Sequence, residues 1–193
     1  MTKICKDMPK YARKSEKSRK VKRLEKPENT GNMRKIKILF VCHGNICRSP
    51  MAEFIMKEQL RKLGLEEEFH VASAATSSEE IWDGVGNPVY PPARAELAKH
   101  GISCGQKRAV QLVKEDYEKY DYLIGMEQMN IRNMMRILGS DPDHKVYRLL
   151  DFTDEPGDIA DPWYSGKFGL TYDQIDKGVS CLIGELQQKL WDV

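Results

Sequence analysis

The chain has 193 residues with a formal net charge of +2, and 40% of the residues are hydrophobic. This length and composition suit one domain with a sizeable core. No run of about 18 apolar residues is present, which argues against a membrane span, and the lysine-rich start argues against a secretory signal. Five cysteines in a domain of this size fit reduced thiols in the cytoplasm better than a disulfide framework.

The basic residues concentrate at the N-terminus. Residues 1–32 carry a local charge of +7, and the remainder carries −5. We expect residues 1–34 to form a basic, disordered extension and residues 35–193 to form a single domain. The extension could bind nucleic acid or anionic lipid, could be a solvated tail, or could be absent if the native protein starts at Met33. We expect no nucleic-acid binding elsewhere on the chain.

Strand and helix patterns alternate from Ile36 onward. Strands are predicted at 36–41, 69–75, 109–112, 122–126 and 146–149. A first helix should begin with Ser49 as its N-cap and end at Gly64, and a second should run from Pro91 to Gly101. A methionine-rich helix should follow to Leu138, and a long amphipathic helix should cover 172–190. The alternation predicts a three-layer α/β sandwich on a parallel sheet. We expect the methionines of the third helix to fill the core, namely Met129, Met134 and Met135.

The segment between the first strand and the first helix predicts an anion site. A loop of this kind presents backbone N–H groups and a helix N-terminus to a ligand. Gly44 permits close backbone approach, Asn45 tolerates positive φ, and Arg48 offers a planar fork to two phosphate oxygens. The predicted phosphate-binding residues of the loop are His43, Gly44, Asn45, Ile46, Cys47 and Ser49.

Cys42 is the candidate nucleophile of this site. The helix N-terminus and Arg48 favour its thiolate form, and Ser49 could donate a hydrogen bond to the sulfur. Attack on phosphorus would give a phosphocysteine, with Arg48 holding the equatorial oxygens. A cysteine six positions before an arginine is a weak signal, and the plain alternative is a buried cysteine at a strand end. The Gly-Asn turn and the Ser-Pro helix start favour catalysis.

The ten residues from Val41 to Pro50 resemble the signature of the low-molecular-weight protein tyrosine phosphatase family. Segments 73–77, 120–126 and 161–164 are also similar to the family, and the resemblance extends from Lys35 to Leu190. It implies a four-stranded parallel sheet flanked by helices, with no metal or organic cofactor. It also implies phosphotyrosine proteins as substrates, with inorganic phosphate as product and inhibitor.

The resemblance also implies individual roles. It assigns the general acid to Asp161, which should protonate the leaving phenolate and give best activity at mildly acidic pH. The residues alone leave Asp151, Asp154 and Asp158 equally possible. Ser73 should join Asn45 and Ser49 in a network that holds the loop. The family's histidine near this network is missing here, where residues 104–108 stand, and we assign no role to His100 or Gln106.

Aromatic side chains are candidates for the substrate wall. Trp163 and Tyr164 follow the acid, and Trp82 lies in a loop, residues 78–86, that looks longer than in many relatives. These rings could sandwich a phenyl group, although Trp82 could equally pack in the core.

Several alternatives remain open at this point. A protein-arginine phosphatase of the same family would favour threonine at the position of Ile46, whose apolar side chain favours an aryl ester. A thiol-dependent arsenate reductase would need more cysteines than Cys104 in its relay. A non-catalytic phosphopeptide-binding module would need neither Cys42 nor Asp161. Cys47 could protect an oxidised Cys42 as a disulfide, or it could simply pack under the loop.

Overall fold

The computed structural model describes residues 34–191. The strands are β1 (Ile36–Cys42), β2 (Phe69–Ala75), β3 (Ile81–Trp82), β4 (Val85–Gly86), β5 (Tyr122–Gly125) and β6 (Val146–Arg148). The helices are α1 (Arg48–Leu63), α2 (Pro91–Lys99), α3 (Asp116–Lys119), α4 (Gln128–Leu138), α5 (Pro162–Ser165) and α6 (Phe168–Trp191), and a 3-10 helix covers Leu149–Phe152.

Four strands form one parallel sheet in the order β2-β1-β5-β6. β1 is therefore central, with its last residue, Cys42, in register with Ala75 of β2. β3 and β4 form a separate antiparallel hairpin. The carboxyl end of β1 lies between the ends of β2 and β5, which is the edge where open α/β sheets bind ligands.

The central strand is buried on both faces. Ile38 and Phe40 pack into one cluster with residues of α1, α2 and α6. Leu39 and Val41 point to the opposite face and pack with residues of α3 and α4. This alternation is expected for a strand covered by helices on both sides. The predicted three-layer α/β fold on a four-stranded parallel sheet is confirmed.

Two sequence predictions near the loop are wrong in detail. Residues 109–112 form no strand, because only Gln111 makes an isolated bridge to Ala75 at the end of β2. α1 begins at Arg48 with Cys47 as its N-cap residue, so Ser49 is not the cap. The hydroxyl of Ser49 points into the loop instead, where it has other partners. Gly64 ends the helix in the left-handed conformation, as predicted.

The methionine prediction for α4 is only partly correct. Met134 is buried in the core, but Met129 is 51% exposed. Two of the glycines of α6, Gly178 and Gly184, have different surroundings. A Cβ at Gly178 would lie 2.7 Å from Leu149 Cγ, so this glycine permits close packing on the 3-10 helix, whereas nothing lies within 4 Å of a Cβ at Gly184.

Residues from Lys35 onward form one compact unit. The predicted extension, including the possible start at Met33, lies outside the described residues except for Arg34, so it stays a prediction. Among the helices of the described part, none is long and apolar enough to cross a membrane.

Candidate active site

Main-chain hydrogen bonds hold both ends of the loop that follows Cys42. Thr76 N donates to Cys42 O and Ser77 N donates to His43 O, each at 2.9 Å. At the other end, Tyr90 N donates to Ile46 O at 2.9 Å. The loop is thus attached to the segments after β2 and before α2, which fixes its position above the sheet.

The inside of the loop is rich in hydrogen-bond donors. Within residues 34–191, the backbone N–H groups of Gly44 through Arg48 donate to no protein acceptor. Asn45 has φ 56°, the left-handed conformation, which bends the chain at this point. Successive free N–H groups in a bent loop at a helix N-terminus suit an anion, and phosphate binding by this loop stays a prediction.

The predicted network converges on Cys42. Ser49 Oγ lies 3.0 Å from Cys42 Sγ. Asn45 Nδ2 donates to Ser49 Oγ at 2.8 Å and to Ser73 Oγ at 2.9 Å, while Asn45 Oδ1 accepts from Val110 N at 3.0 Å. Asn45, Ser49 and Ser73 are all buried. The structure therefore brings together the three side chains that the resemblance placed in this network.

Arg48 is 2% exposed and donates three side-chain hydrogen bonds within the described residues. Its Nη2 donates to Asp161 Oδ2 at 2.6 Å and to Glu127 Oε1 at 2.9 Å, and its Nη1 donates to Ile159 O at 3.2 Å. Burial acts to lower the pKa of Arg48, but the negative neighbours Cys42, Glu127 and Asp161 outweigh it and raise the pKa. The guanidinium is thus a fixed positive charge beside the loop.

Asp161 is the one of the four candidate acids that contacts Arg48 in the described part of the chain. It is the N-cap residue of α5, where its Oδ1 accepts from Trp163 N at 3.0 Å. The other three candidates pair elsewhere, Asp151 and Asp158 with Arg148 and Asp154 with Lys177.

The rim of the loop is formed partly by the β3–β4 hairpin. A Cβ at Gly44 would lie 2.9 Å from Glu80 Cγ, and His43 Nε2 lies 2.9 Å from Glu79 Oε2. Ile46 is buried in a small cluster with Cys47 and Ala109, against which Ile81 of the hairpin packs. Gly86 lets the hairpin approach the backbone of Ala109, because a Cβ there would lie 1.9 Å from Ala109 O.

The three candidate aromatic residues of the substrate wall are all exposed. Trp82 is 71% exposed, which rules out core packing for this side chain. Trp163 packs against Tyr90 with ring centroids 5.0 Å apart, and Tyr164 is almost fully exposed. Their contact with a substrate ring stays a prediction.

Cys47 and Cys104 are buried thiols. Burial is the main cause that raises the pKa of Cys47 to about 12, and the charge of the neighbouring Cys42 is the second cause. The Cys47 thiol therefore stays protonated at neutral pH. Cys104 lies in the main hydrophobic cluster.

Three charged residues of the site escaped the sequence analysis, namely Glu127, Glu53 and Lys107. Glu127 directly follows Met126 after β5, and its position beyond a strand next to β1 was an available signal. Glu53 is four residues after Ser49 on α1 and accepts from Ser73 Oγ at 2.6 Å. Lys107 reaches both Glu53 and Ser73, a contact that nothing in the local sequence indicates.

The protein thus has an α/β fold in which Cys42 and the buried Arg48 flank a donor-rich loop, an arrangement that is chemically suited to a tetrahedral oxyanion next to a thiol. Residues 37–191 match the family model described as low molecular weight phosphotyrosine protein phosphatase. The low molecular weight protein-tyrosine-phosphatase YfkJ of Bacillus subtilis is 35% identical over 156 residues, which cover 80% of this chain and 97% of that protein.

Solved structures agree with the sequence matches. The crystal structure of YfkJ from Bacillus subtilis superimposes with a TM-score of 0.77 and 34% identity, covering 82% of this chain and 99% of the other. A structure of the arginine phosphatase YwlE, a mutant with a phosphorylated active-site serine, superimposes with a TM-score of 0.68 and 27% identity. The match covers 79% of this chain and 96% of the other. The chain belongs to the low molecular weight phosphotyrosine protein phosphatase family, as the resemblance predicted.

Proposed function

We propose that this protein hydrolyses phosphotyrosine in proteins through a phosphocysteine on Cys42. The observation that carries this proposal is the position of Cys42 Sγ. It lies 3.0 Å from Ser49 Oγ, directly before a loop with free N–H groups. A hydroxyl hydrogen bond stabilises a sulfur anion, and the loop favours a phosphate dianion next to it. Family membership supports the same reaction.

The reaction has two steps in this proposal. First, the S–P bond forms while the P–O bond to the phenolic oxygen breaks, and Asp161 gives its proton to that oxygen. Water then attacks phosphorus, Asp161 takes the proton of the water, and Cys42 leaves as a thiolate. The N–H groups of the loop and Arg48 hold the equatorial oxygens throughout.

Substrate binding rearranges the contacts of Arg48. In the free protein its Nη2 donates to both Asp161 and Glu127. A phosphate dianion offers two oxygens to the guanidinium fork and competes with Asp161 for Nη2. Once released, Asp161 Oδ2 can carry the proton that the first step requires. Inorganic phosphate should bind the same loop and inhibit as a product.

A phosphopeptide panel tests the proposal. The wild type should release phosphate from phosphotyrosine peptides, and Cys42→Ser should release none but should still bind and retain them. The same immobilised variant can capture the physiological substrate. Phosphate release by Cys42→Ser at the wild-type rate would overturn the role of Cys42.

Activity on phosphoarginine is the second candidate, and it is supported by the likeness to the arginine phosphatase YwlE. The buried, apolar Ile46 argues for the aryl ester, because it offers no hydroxyl to a phosphoramidate. Ile46→Thr should raise the ratio of phosphoarginine to phosphotyrosine turnover. If wild type already prefers phosphoarginine peptides, the tyrosine assignment is wrong.

The proposed location is the cytoplasm, because the nucleophile has to remain a reduced thiol. Cys42, Cys47 and Cys104 are free thiols in the structure.

A further inference from the structure

The residue before the proposed acid is held by the C-terminal helix. Ala160 directly precedes Asp161, and both polar groups of its backbone bond side chains of α6. Ala160 N donates to Gln174 Oε1 at 3.2 Å, and Thr171 Oγ1 donates to Ala160 O at 3.1 Å. Thr171 and Gln174 are one helical turn apart, so they lie on the same face of α6. We call this pair of side chains the α6 clamp.

Thr171 is the buried member of the α6 clamp. Its side chain is 0% exposed, and a hydroxyl that is shielded from water needs a partner within the protein. A threonine inside a helix can bond a carbonyl of its own preceding turn, but this one donates to Ala160 O, outside the helix. Gln174 is only partly buried, and its bond to Ala160 N lies nearer the solvent.

The α6 clamp acts on the backbone that carries the carboxyl group of Asp161. The carbonyl of Ala160 belongs to the same planar peptide unit as the N–H of Asp161, so the bond from Thr171 restricts the rotation of that unit. On the other side, Pro162 disfavours helical backbone at Asp161, which is extended with φ −75° and ψ 114°. The backbone of Asp161 is therefore restricted from both sides, and its side-chain torsions remain free to change.

This restriction matters most when a substrate is bound. In the free protein, Arg48 Nη2 donates to Asp161 Oδ2 at 2.6 Å and so fixes the carboxylate directly. In the proposed mechanism the phosphate takes over this donor, and the carboxyl group loses the bond. Among the described residues, Trp163 N then remains as a partner of Oδ1, together with the clamped backbone. The distance from the acid to the leaving oxygen then depends on α6.

We propose that Thr171 and Gln174 are positioning residues that determine where Asp161 delivers its proton once Arg48 has bound the phosphate. This inference rests on the proposed function in taking Asp161 as the general acid. Both side chains act through the backbone of Ala160 rather than on the reacting atoms. A positioned acid contributes roughly 10²–10⁴-fold to the rate, and a displaced one loses part of that contribution.

Thr171→Val is the sharpest variant, because it keeps the shape of the side chain and removes the hydroxyl donor. Thr171→Ser keeps the donor and should behave like the wild type. Gln174→Met removes the acceptor of the second bond and keeps the length of the side chain. Ser180→Ala is the matched control, since Ser180 also lies on α6 but its hydroxyl donates to Gln59 Oε1 and Asp176 O.

The measurement is kcat/KM for phenyl phosphate and for para-nitrophenyl phosphate, two esters that differ in their need for a proton. Both esters give the same phosphocysteine, so kcat/KM, which covers the first step only, separates them. In Thr171→Val, kcat/KM should fall about tenfold for phenyl phosphate and less than about twofold for para-nitrophenyl phosphate. Gln174→Met should act in the same direction by a smaller factor. Thr171→Ser and Ser180→Ala should match the wild type.

A double variant shows whether Thr171 acts through Asp161. In the Asp161→Ala background, Thr171→Val should lower kcat/KM for phenyl phosphate no further, because the group that it positions is gone. Equal losses on both esters in Thr171→Val would overturn the proposal, and so would a further loss of about tenfold in the double variant. If Thr171→Val does not fold, an unchanged ratio of the two esters in Gln174→Met would overturn it.

The proposed function and the α6 clamp fail in distinguishable ways. If Asp161→Ala alone lowers kcat/KM equally for both esters, Asp161 is not the acid, and the proposed mechanism and the clamp are both wrong. If Asp161→Ala is selective for phenyl phosphate while Thr171→Val and Gln174→Met are not, the mechanism stands and the clamp alone is wrong.

Discussion

Arg48 and Asp161 are bound to each other in the free protein, with Nη2 and Oδ2 2.6 Å apart. Arg48 is the predicted phosphate receptor and Asp161 the predicted acid, so the two functional side chains of the site begin as partners. Glu127 shares the same nitrogen of Arg48. In the proposed mechanism, a substrate has to replace part of this arrangement, which would link phosphate binding to the release of Asp161.

Asp161→Ala should affect poor leaving groups far more than activated ones. Phenyl phosphate needs a proton on its departing oxygen, so its kcat should fall about 100-fold or more, whereas para-nitrophenyl phosphate should lose much less. Steady-state kinetics on both esters measure the difference. Asp158→Ala is the control, because Asp158 lies on the same loop but pairs with Arg148, and it should leave both rates unchanged. Equal losses on the two esters would contradict the role of Asp161.

Two substitutions at Asn45 separate its backbone role from its side-chain role. Both Asn45→Gly and Asn45→Ala remove the side-chain amide that bonds Ser49 and Ser73, so both should lower kcat. Asn45 has φ 56°, which glycine adopts freely and alanine resists, so the glycine variant should be about 1 kcal/mol more stable. Urea unfolding measures the difference. Equal stability of the two variants would show that the backbone conformation at this position carries no strain.

Cys47 should capture oxidised Cys42. A sulfenic acid on Cys42 would condense with the Cys47 thiol to give a disulfide and water, which blocks further oxidation. Because the pKa of Cys47 is raised to about 12, its thiolate fraction grows as pH rises, and the capture should become faster toward alkaline pH. After peroxide treatment, dithiothreitol should restore activity in wild type but not in Cys47→Ser. Full recovery of Cys47→Ser would rule out the protective role.

Gly178 and Gly184 of α6 should respond oppositely to replacement by alanine. Gly178→Ala places a Cβ 2.7 Å from Leu149 Cγ and should destabilise the protein by about 1–3 kcal/mol through overpacking. Gly184→Ala meets nothing within 4 Å and should stabilise it by about 0.5–1 kcal/mol through helix propensity. Thermal unfolding of the two variants measures both changes. A stable Gly178→Ala would mean that the 3-10 helix moves away at little cost.

The sequence predicted those parts of the site that depend on neighbouring residues. β1, the loop and the start of α1 are contiguous, and their strand, turn and helix signals lie within residues 36–50. The prediction of a strand at 109–112 was wrong because this segment hydrogen-bonds to the loop after Cys42 rather than pairing along the sheet. Val110 N donates to Asn45, and only Gln111 bridges to the sheet.

The missed residues depend on distant parts of the chain. Glu127 contacts Arg48 across 79 positions of sequence, and Lys107 meets Glu53 only because the 104–108 segment folds behind the loop. A single sequence contains no periodicity that reports such pairs. Ser49 was misplaced as a cap for a local reason, since α1 already begins at Arg48 and the hydroxyl of Ser49 is taken by Asn45 and Cys42.

Cys42 and Asp161 lie in parts of the protein that should differ in how readily their backbone hydrogen bonds open. Cys42 ends a central strand that is buried on both faces, and its amide should exchange with deuterium only when the whole domain unfolds. Asp161 precedes a four-residue helix whose last three side chains are exposed, so amides there should exchange through local fluctuations. The proposed nucleophile therefore stays in place, while the proposed acid can move toward it when substrate binds and away from it when product leaves.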